Sequence, residues 1–300
     1  VRPRDLAVTA GFAAAWRVVP AVPERAVYAW GDAVADRVTR ADGPGVRVLR
    51  ANLARAVPAD RLAGAVRAGV RSYVRYWLDA FRLPSWSGER IRAPVRTEGM
   101  GMLRTALGAG RGVVGALGHL GNWDHAGAWA ALELAPVTTV AERLRPEAVY
   151  QRFVAYRARL GIEVLPLTGG PPPMPVLAGR LRRGGFVPLL CDRDLSGSGV
   201  TVDLLGEPAR VAAGPAALAA RTGAALHPVT VHYERSTASP NGWGVAVVVH
   251  PEVPVTGPGA LRQAAQGCAD AWSAAIRARP EDWHMLQRVF VADLDPASAP

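Results

Sequence analysis

The chain has 300 residues, half of them apolar, with 35 basic against 25 acidic side chains and a formal charge of +10. It contains no lysine, which excludes a lysine Schiff base and a Walker A phosphate loop. Its two cysteines, Cys191 and Cys268, form no Cys-x-x-Cys pair and no disulfide framework, and no run of about 20 apolar residues offers a membrane span.

The first 85 residues read as helices. Leu6, Ala10, Phe12, Ala13 and Trp16 share a broad apolar face, and Arg17 and Pro20 close that run. A second helix opens at Val22-Pro23-Glu24-Arg25, with the proline in its first turn. A third is expected over residues 46–56. The fourth starts at Pro58 and carries Leu62, Val66, Val70, Tyr73, Val74, Trp77, Leu78 and Phe81 at helical spacing, with Arg67, Arg71, Arg75 and Arg82 interleaved. Aromatics combined with arginines suit a membrane interface. An ordinary core helix with a solvated arginine face gives the same pattern. We read the first helix as membrane-associating and the fourth as core-packing.

From about residue 95 short β-branched runs alternate with helical stretches. Strands are expected at 112–118, 137–140, 163–167, 186–190, 200–205, 226–233 and 244–250, and helices at 123–134, 146–160, 173–183, 213–222 and 258–279. This alternation predicts an α/β fold with a mainly parallel central sheet flanked by helices. We expect a helical region over 1–90 packed on a core over 91–300, as one structural domain. The positive excess suits anionic lipid headgroups, nucleic acid or a polyphosphate ligand.

In such sheets chemistry gathers where strands end. Gly118-His119-Leu120-Gly121-Asn122-Trp123-Asp124-His125 follows the 112–118 strand directly. Gly121 permits a tight turn, Asn122 suits a helix cap, and Asp124 falls in that helix's first turn. A neutral imidazole takes a proton from an attacking hydroxyl, and a carboxylate holds its tautomer. Adjacent helical residues diverge, so His125 is expected to face away from the pair. Cys191 reads as a buried strand cysteine.

His-x-x-x-x-Asp is a glycerolipid acyltransferase signature. The fuller form, His119 through Asp124, resembles the bacterial lipid A biosynthesis acyltransferase family, nearest to its branch acting on phosphatidylinositol mannosides. Three stretches in order support the resemblance: Glu142-Arg-Leu-Arg-Pro, Cys191-Asp-Arg-Asp-Leu, and Leu205-Gly-Glu-Pro-Ala-Arg leading to Ala213-Gly-Pro. Together they cover roughly residues 5 to 290. The resemblance implies a long-chain acyl donor, acyl-CoA or acyl carrier protein, acting as co-substrate without a cofactor or metal. It implies a glycolipid acceptor, an acyl tunnel, and peripheral attachment to the anionic cytoplasmic face of the plasma membrane, with no nucleic-acid partner. It also implies a second acidic residue supporting the histidine, with Asp192 the candidate and Asp194 the alternate. The catalytic set is then His119, Asp124 and Asp192, with Asp124 and Asp192 both open as the orienting carboxylate. Asn122, Arg145, Arg157, Arg193 and Asp194 are the candidate substrate-binding residues.

Several rivals are weaker. A metal-dependent hydrolase would need His119, Asp124 and His125 to converge. Gly110-x-Gly-x-x-Gly115 precedes its strand, whereas a dinucleotide loop follows one. No Gly-x-Ser-x-Gly elbow marks a serine hydrolase. A non-catalytic lipid-binding protein fits the charge but leaves the ordered motifs unexplained, and a lipid A-type acceptor is the alternative within the family.

Overall fold

The computed structural model describes residues 3–143, 145–195 and 197–294. Four helices open the chain: α1 (Pro3–Ala21), α2 (Glu24–Ala41), α3 (Pro44–Leu53) and α4 (Ala59–Arg82). Asp42, in the left-handed region at φ 46°, closes α2 by donating its N–H to the Thr39 carbonyl. α4 runs longest because Val66, Val70, Tyr76 and Leu78 keep one face buried along its length. After it come α5 (Gly88–Arg92), β1 (Val95–Glu98), α6 (Met100–Gly108), β2 (Val113–Leu117), α7 (Trp123–Glu133), β3 (Val137–Ala141), α8 (Glu147–Arg159) and β4 (Ile162–Pro166). The rest are α9 (Pro173–Arg182), β5 (Phe186–Leu190), β6 (Val200–Leu204), β7 (Glu207–Val211), α10 (Gly214–Thr222), β8 (Ala225–Arg235), β9 (Trp243–Val249) and α11 (Ala260–Ala278).

Seven strands form one sheet in the order β1-β9-β8-β2-β5-β3-β4, parallel at every pairing except the antiparallel β8–β9 hairpin. β6 and β7 make a separate antiparallel hairpin. β2 is central and covered on both sides: Val113 and Leu117 enter one apolar cluster, Val114 and Ala116 the other. A strand buried on both faces needs an unbroken apolar run, which Val113 to Leu117 supplies.

The expected α/β architecture and mainly parallel sheet are present. Four elements escaped the pattern reading: β1, β7, α5 and α6. β1 is only four residues of half-buried and exposed positions, and β7 carries Pro208, which has no amide to donate. Both are too short or too interrupted to show a period.

The helical region differs from expectation in its apolar faces. α4 packs inward as predicted, and its Arg67 and Arg71 both bind Asp36 of α2. The aromatics of α1 turn inward too. Phe12 lies 5.6 Å from Trp77 and Trp16 5.0 Å from Phe153, centroid to centroid. Edge-on ring contacts stabilise beyond area burial alone, so this face is used in packing. Leu6 and Val18 of the same helix are exposed. Among the described residues no helix is long and apolar enough to cross a membrane.

Asp79, buried on α4, binds the helical region to the sheet. It accepts hydrogen bonds from the hydroxyls of Tyr28 and Tyr233 and, at 3.0 Å, from the amide of Asn122. Burial raises its pKa, and the two tyrosine bonds partly offset that rise. Asp79→Ala strands three buried donors, so a loss of about 3 kcal/mol or more is expected in urea denaturation, with a smaller loss for Asp79→Asn.

His125 is buried, with Nε2 2.8 Å from the Ile91 carbonyl and its ring edge-on to Trp86. Burial holds its pKa down at about 4. An unfolded chain protonates histidine near pH ~6.5, so between that pH and 4 the unfolded state binds more protons and acid destabilises the fold. Denaturation midpoints recorded over that interval should fall less steeply for His125→Gln, by about 1.4 kcal/mol per pH unit.

Candidate active site

β2 and β5 lie in parallel register with Leu117 opposite Leu190, the last residue of each strand. His119 and Asp192 each stand two residues beyond those ends, so the register brings them side by side. His119 Nδ1 is 2.5 Å from Asp192 Oδ1, and the His119 backbone N–H donates to Oδ2 at 2.9 Å. Trp283 Nε1–H donates to the same oxygen at 3.0 Å. The Asp192 side chain is 1% exposed. Burial pushes its carboxyl up, but His119 beside it and the three donors outweigh burial and hold it below the usual carboxylate range. With Nδ1–H donating a hydrogen bond to the carboxylate, the Nε2 lone pair of His119 is left available.

The turn after His119 is pressed against β8. Gly121 sits at φ 57°, and a Cβ there would lie 2.7 Å from the Val231 carbonyl oxygen. Only glycine satisfies both demands. Asn122 then caps α7, its Oδ1 accepting the His125 N–H at 2.9 Å while its amide goes to Asp79. Both ends of the Asn122 side chain are therefore committed within the protein, and the expected substrate contact is not what this side chain makes here. His125 turns to Ile91 and Trp86, away from the pair.

Asp124 makes no bond to His119. Arg157 grips it, Nε to Oδ1 at 2.8 Å and Nη2 to Oδ2 at 3.2 Å, and the Tyr76 hydroxyl donates to Oδ2 at 2.8 Å. Of the two carboxylates left open as the orienting one, the structure gives that bond to Asp192. The reason is positional: Asp124 points from the first turn of α7 towards α8, whereas Asp192 extends from the strand beside His119. Asp194, the alternate, is committed elsewhere, receiving the Gly199 N–H at 2.7 Å and Arg210 at 3.2 Å. Arg193 pairs with Glu142 at 3.0 Å. Arg145 is exposed and makes no ion pair among the described residues. Cys191 is buried, which raises its thiol pKa well above the usual value.

A C-terminal segment absent from the sequence-based site completes it. Asp282 accepts the Gly121 N–H through its carbonyl at 2.8 Å, and the His284 N–H donates to the His119 carbonyl at 2.8 Å. The Asp282 carboxylate takes the Ser72 hydroxyl at 2.6 Å and the Tyr233 N–H at 2.8 Å. His284 Nε2 is 3.0 Å from Ser72 Oγ. The local signal was the Trp283, Met285 and Leu286 content after the last helix, bulky apolar side chains that a frayed tail carries rarely.

Next to His119 lies an apolar cavity between α7 and one face of the sheet. Trp123 lines its wall and sets its ring edge-on to the His119 imidazole, 5.4 Å between centroids. Leu117, Leu190, Val229, Phe186 and Met100 line it further in. Its lining residues come from strands β9 through β4. Asp124 and Arg157 are among its few charged lining groups. Arg157 also borders a second cavity with Tyr76, Trp77 and Glu142. The arrangement joins a histidine with a buried carboxylate partner to an apolar cavity, which is suited to presenting a hydrocarbon chain to a nucleophile.

Comparison with known proteins agrees with this geometry. Residues 3–291 match the family described as bacterial lipid A biosynthesis acyltransferase. A phosphatidylinositol mannoside acyltransferase of Mycolicibacterium smegmatis is 48% identical over 288 residues, covering 95% of this chain and 91% of that protein. A phosphatidylinositol mannoside acyltransferase of Mycobacterium tuberculosis is 44% identical over 289 residues, covering 94% of this chain and 88% of the relative. The chain belongs to the bacterial lipid A biosynthesis acyltransferase family, and it is an acyltransferase.

Proposed function

We propose that the enzyme moves a long-chain acyl group from acyl-CoA to a sugar hydroxyl of a phosphatidylinositol mannoside, at an anionic membrane surface on the cytoplasmic side. The observation carrying this reading is the His119–Asp192 pair beside an apolar cavity lined by hydrocarbon side chains. The relatives' names supply the acceptor. Exposed Leu6, Val18, Trp30 and Val38 on α1 and α2, together with exposed Arg17, Arg25, Arg37 and Arg40, support the membrane contact.

The acyl chain lies in the cavity with its thioester carbon near Trp123. His119 Nε2 takes the proton of the acceptor hydroxyl as its oxygen attacks that carbon. Asp192 stabilises the imidazolium without taking its proton. The carbon–sulfur bond breaks, and the imidazolium returns the proton to the departing thiolate, giving an ester and a free thiol. The first-turn amides of α7 at Trp123 and Asp124 have no acceptor among the described residues, and we assign them to the oxyanion. Acyl-CoA enters as co-substrate, and these steps call for no further cofactor. Arg145 remains a proposed contact for the polar parts of the substrates, whereas Arg157 and Arg193 are committed to Asp124 and Glu142.

His119→Ala should abolish release of free CoA from palmitoyl-CoA in the presence of phosphatidylinositol mannoside while leaving the denaturation curve close to wild type. Turnover retained in a folded variant would remove His119 as the base. Asp192→Asn should lower kcat by about 10³-fold or more, because the amide can donate to Nδ1 and favour the wrong tautomer.

Asp124 should behave differently. Asp124→Asn weakens the Arg157 pair in a buried setting, so its main expected effect is a stability loss of about 3 kcal/mol or more. A double-mutant cycle with Arg157→Gln should show strong coupling in stability. A folded, stable Asp124→Asn enzyme with activity as low as His119→Ala would instead give Asp124 a direct part in the chemistry.

A further inference from the structure

Two guanidinium groups at the active end of the molecule make no ion pair or hydrogen bond among the described residues. Arg75 of α4 lies with its guanidinium carbon 3.8 Å from the Trp243 ring centroid and 5.0 Å from that of Tyr233. Arg235, at the end of β8, lies 4.1 Å from the same Trp243 centroid. Each keeps its full set of N–H donors while its plane is held by an aromatic ring. Neighbouring cations are spent differently: Arg157 on Asp124, Arg193 on Glu142, and Arg96 on Glu234, the residue before Arg235. Two like charges held beside one ring repel each other, and an anion between or beside them removes that cost.

The position connects them to the reaction. β8 runs parallel to β2 with Val229 opposite Leu117, and it continues past that row to Arg235. His119 stands level with Val231, so Arg235 projects four residues, roughly 13 Å, beyond the imidazole on the same end of the sheet. Arg75 sits on α4 between Ser72, which bonds Asp282, and Tyr76, which bonds Asp124. A substrate whose phosphate is separated from its reacting group by a spacer of that length spans the distance.

We propose that Arg75 and Arg235, stacked on Trp243, form a subsite for a phosphate ester of a substrate, separate from the catalytic pair. The choice of ligand rests on the acyl-transfer reading above. Both substrates of that reaction carry the required chemistry: the acceptor lipid has an inositol phosphodiester, and coenzyme A has its phosphates. Arginine forks bind such groups bidentately.

The test is calorimetric titration of the full chain with two soluble probes, glycerophosphoinositol and coenzyme A, for wild type, Arg235→Gln and Arg75→Gln. Arg235 is exposed and touches only Trp243 among these groups, so its variant folds even if loss of Arg75 disturbs buried Asp79 and Asp282. Arg235→Gln should weaken one probe by about tenfold or more, an effect that shrinks at high salt. Loss confined to glycerophosphoinositol, with a raised KM for the mannoside and unchanged kcat, gives the subsite to the acceptor. Loss confined to coenzyme A, with a raised KM for palmitoyl-CoA, gives it to the donor. Wild-type affinity for both probes in Arg235→Gln, or no binding of either probe to wild type, overturns the subsite. Failure of wild type to transfer acyl groups while still binding a probe through Arg235 would instead count against the acyl-transfer reading and leave the subsite standing.

Discussion

A carboxylate sealed from water must be met by donors, and Asp192 is such a carboxylate. Its two oxygens take the His119 ring, the His119 backbone and the Trp283 indole. These come from the loop after β2 and from the C-terminal segment, while Asp192 itself comes from the loop after β5. None of the three pieces can shift without uncovering a buried charge, whose desolvation costs several kcal/mol. The imidazole is therefore held in one orientation, which is the pre-organisation that the proposed general-base step needs.

The same logic extends outward through a second buried carboxylate. Asp79 joins α2, α4, β8 and the cap of α7. The helices at the start of the chain are thus wired to the turn that carries the histidine, in addition to packing on the core. Asp282 adds a third crossing, between α4, β8 and Gly121. Buried polar networks of this kind rigidify when every donor is met. α4 supplies Ser72, Tyr76 and Asp79 to these contacts from successive turns, which explains why a helix so rich in polar side chains lies in the interior.

Much of this was legible in the sequence. The 3.6-residue period of α4 and the apolar run of β2 are local signals, and both elements formed where those signals placed them. His119 stood out because a strand, a glycine and a capping asparagine surround it. The partner of His119 was harder to read. Asp124 is near in sequence and Asp192 is far, yet parallel register makes the distant residue the neighbour; register is a property of two strands together and cannot be read from either alone. Trp283 and His284 were missed for a related reason. They lie in irregular backbone with no period, and their importance comes from the backbone groups they meet. The apolar face of α1 was ambiguous, because an aromatic stripe looks the same whether it meets lipid or the rings of Trp77 and Phe153.

Trp283 and its neighbours also set an order in time. During synthesis β2, α7 and β5 emerge well before the segment that seals Asp192. Until residues 282–284 leave the ribosome, the carboxylate lacks its indole donor and Gly121 and His119 lack their backbone partners. A chain truncated before residue 282 would therefore carry His119 without the contacts that fix its orientation.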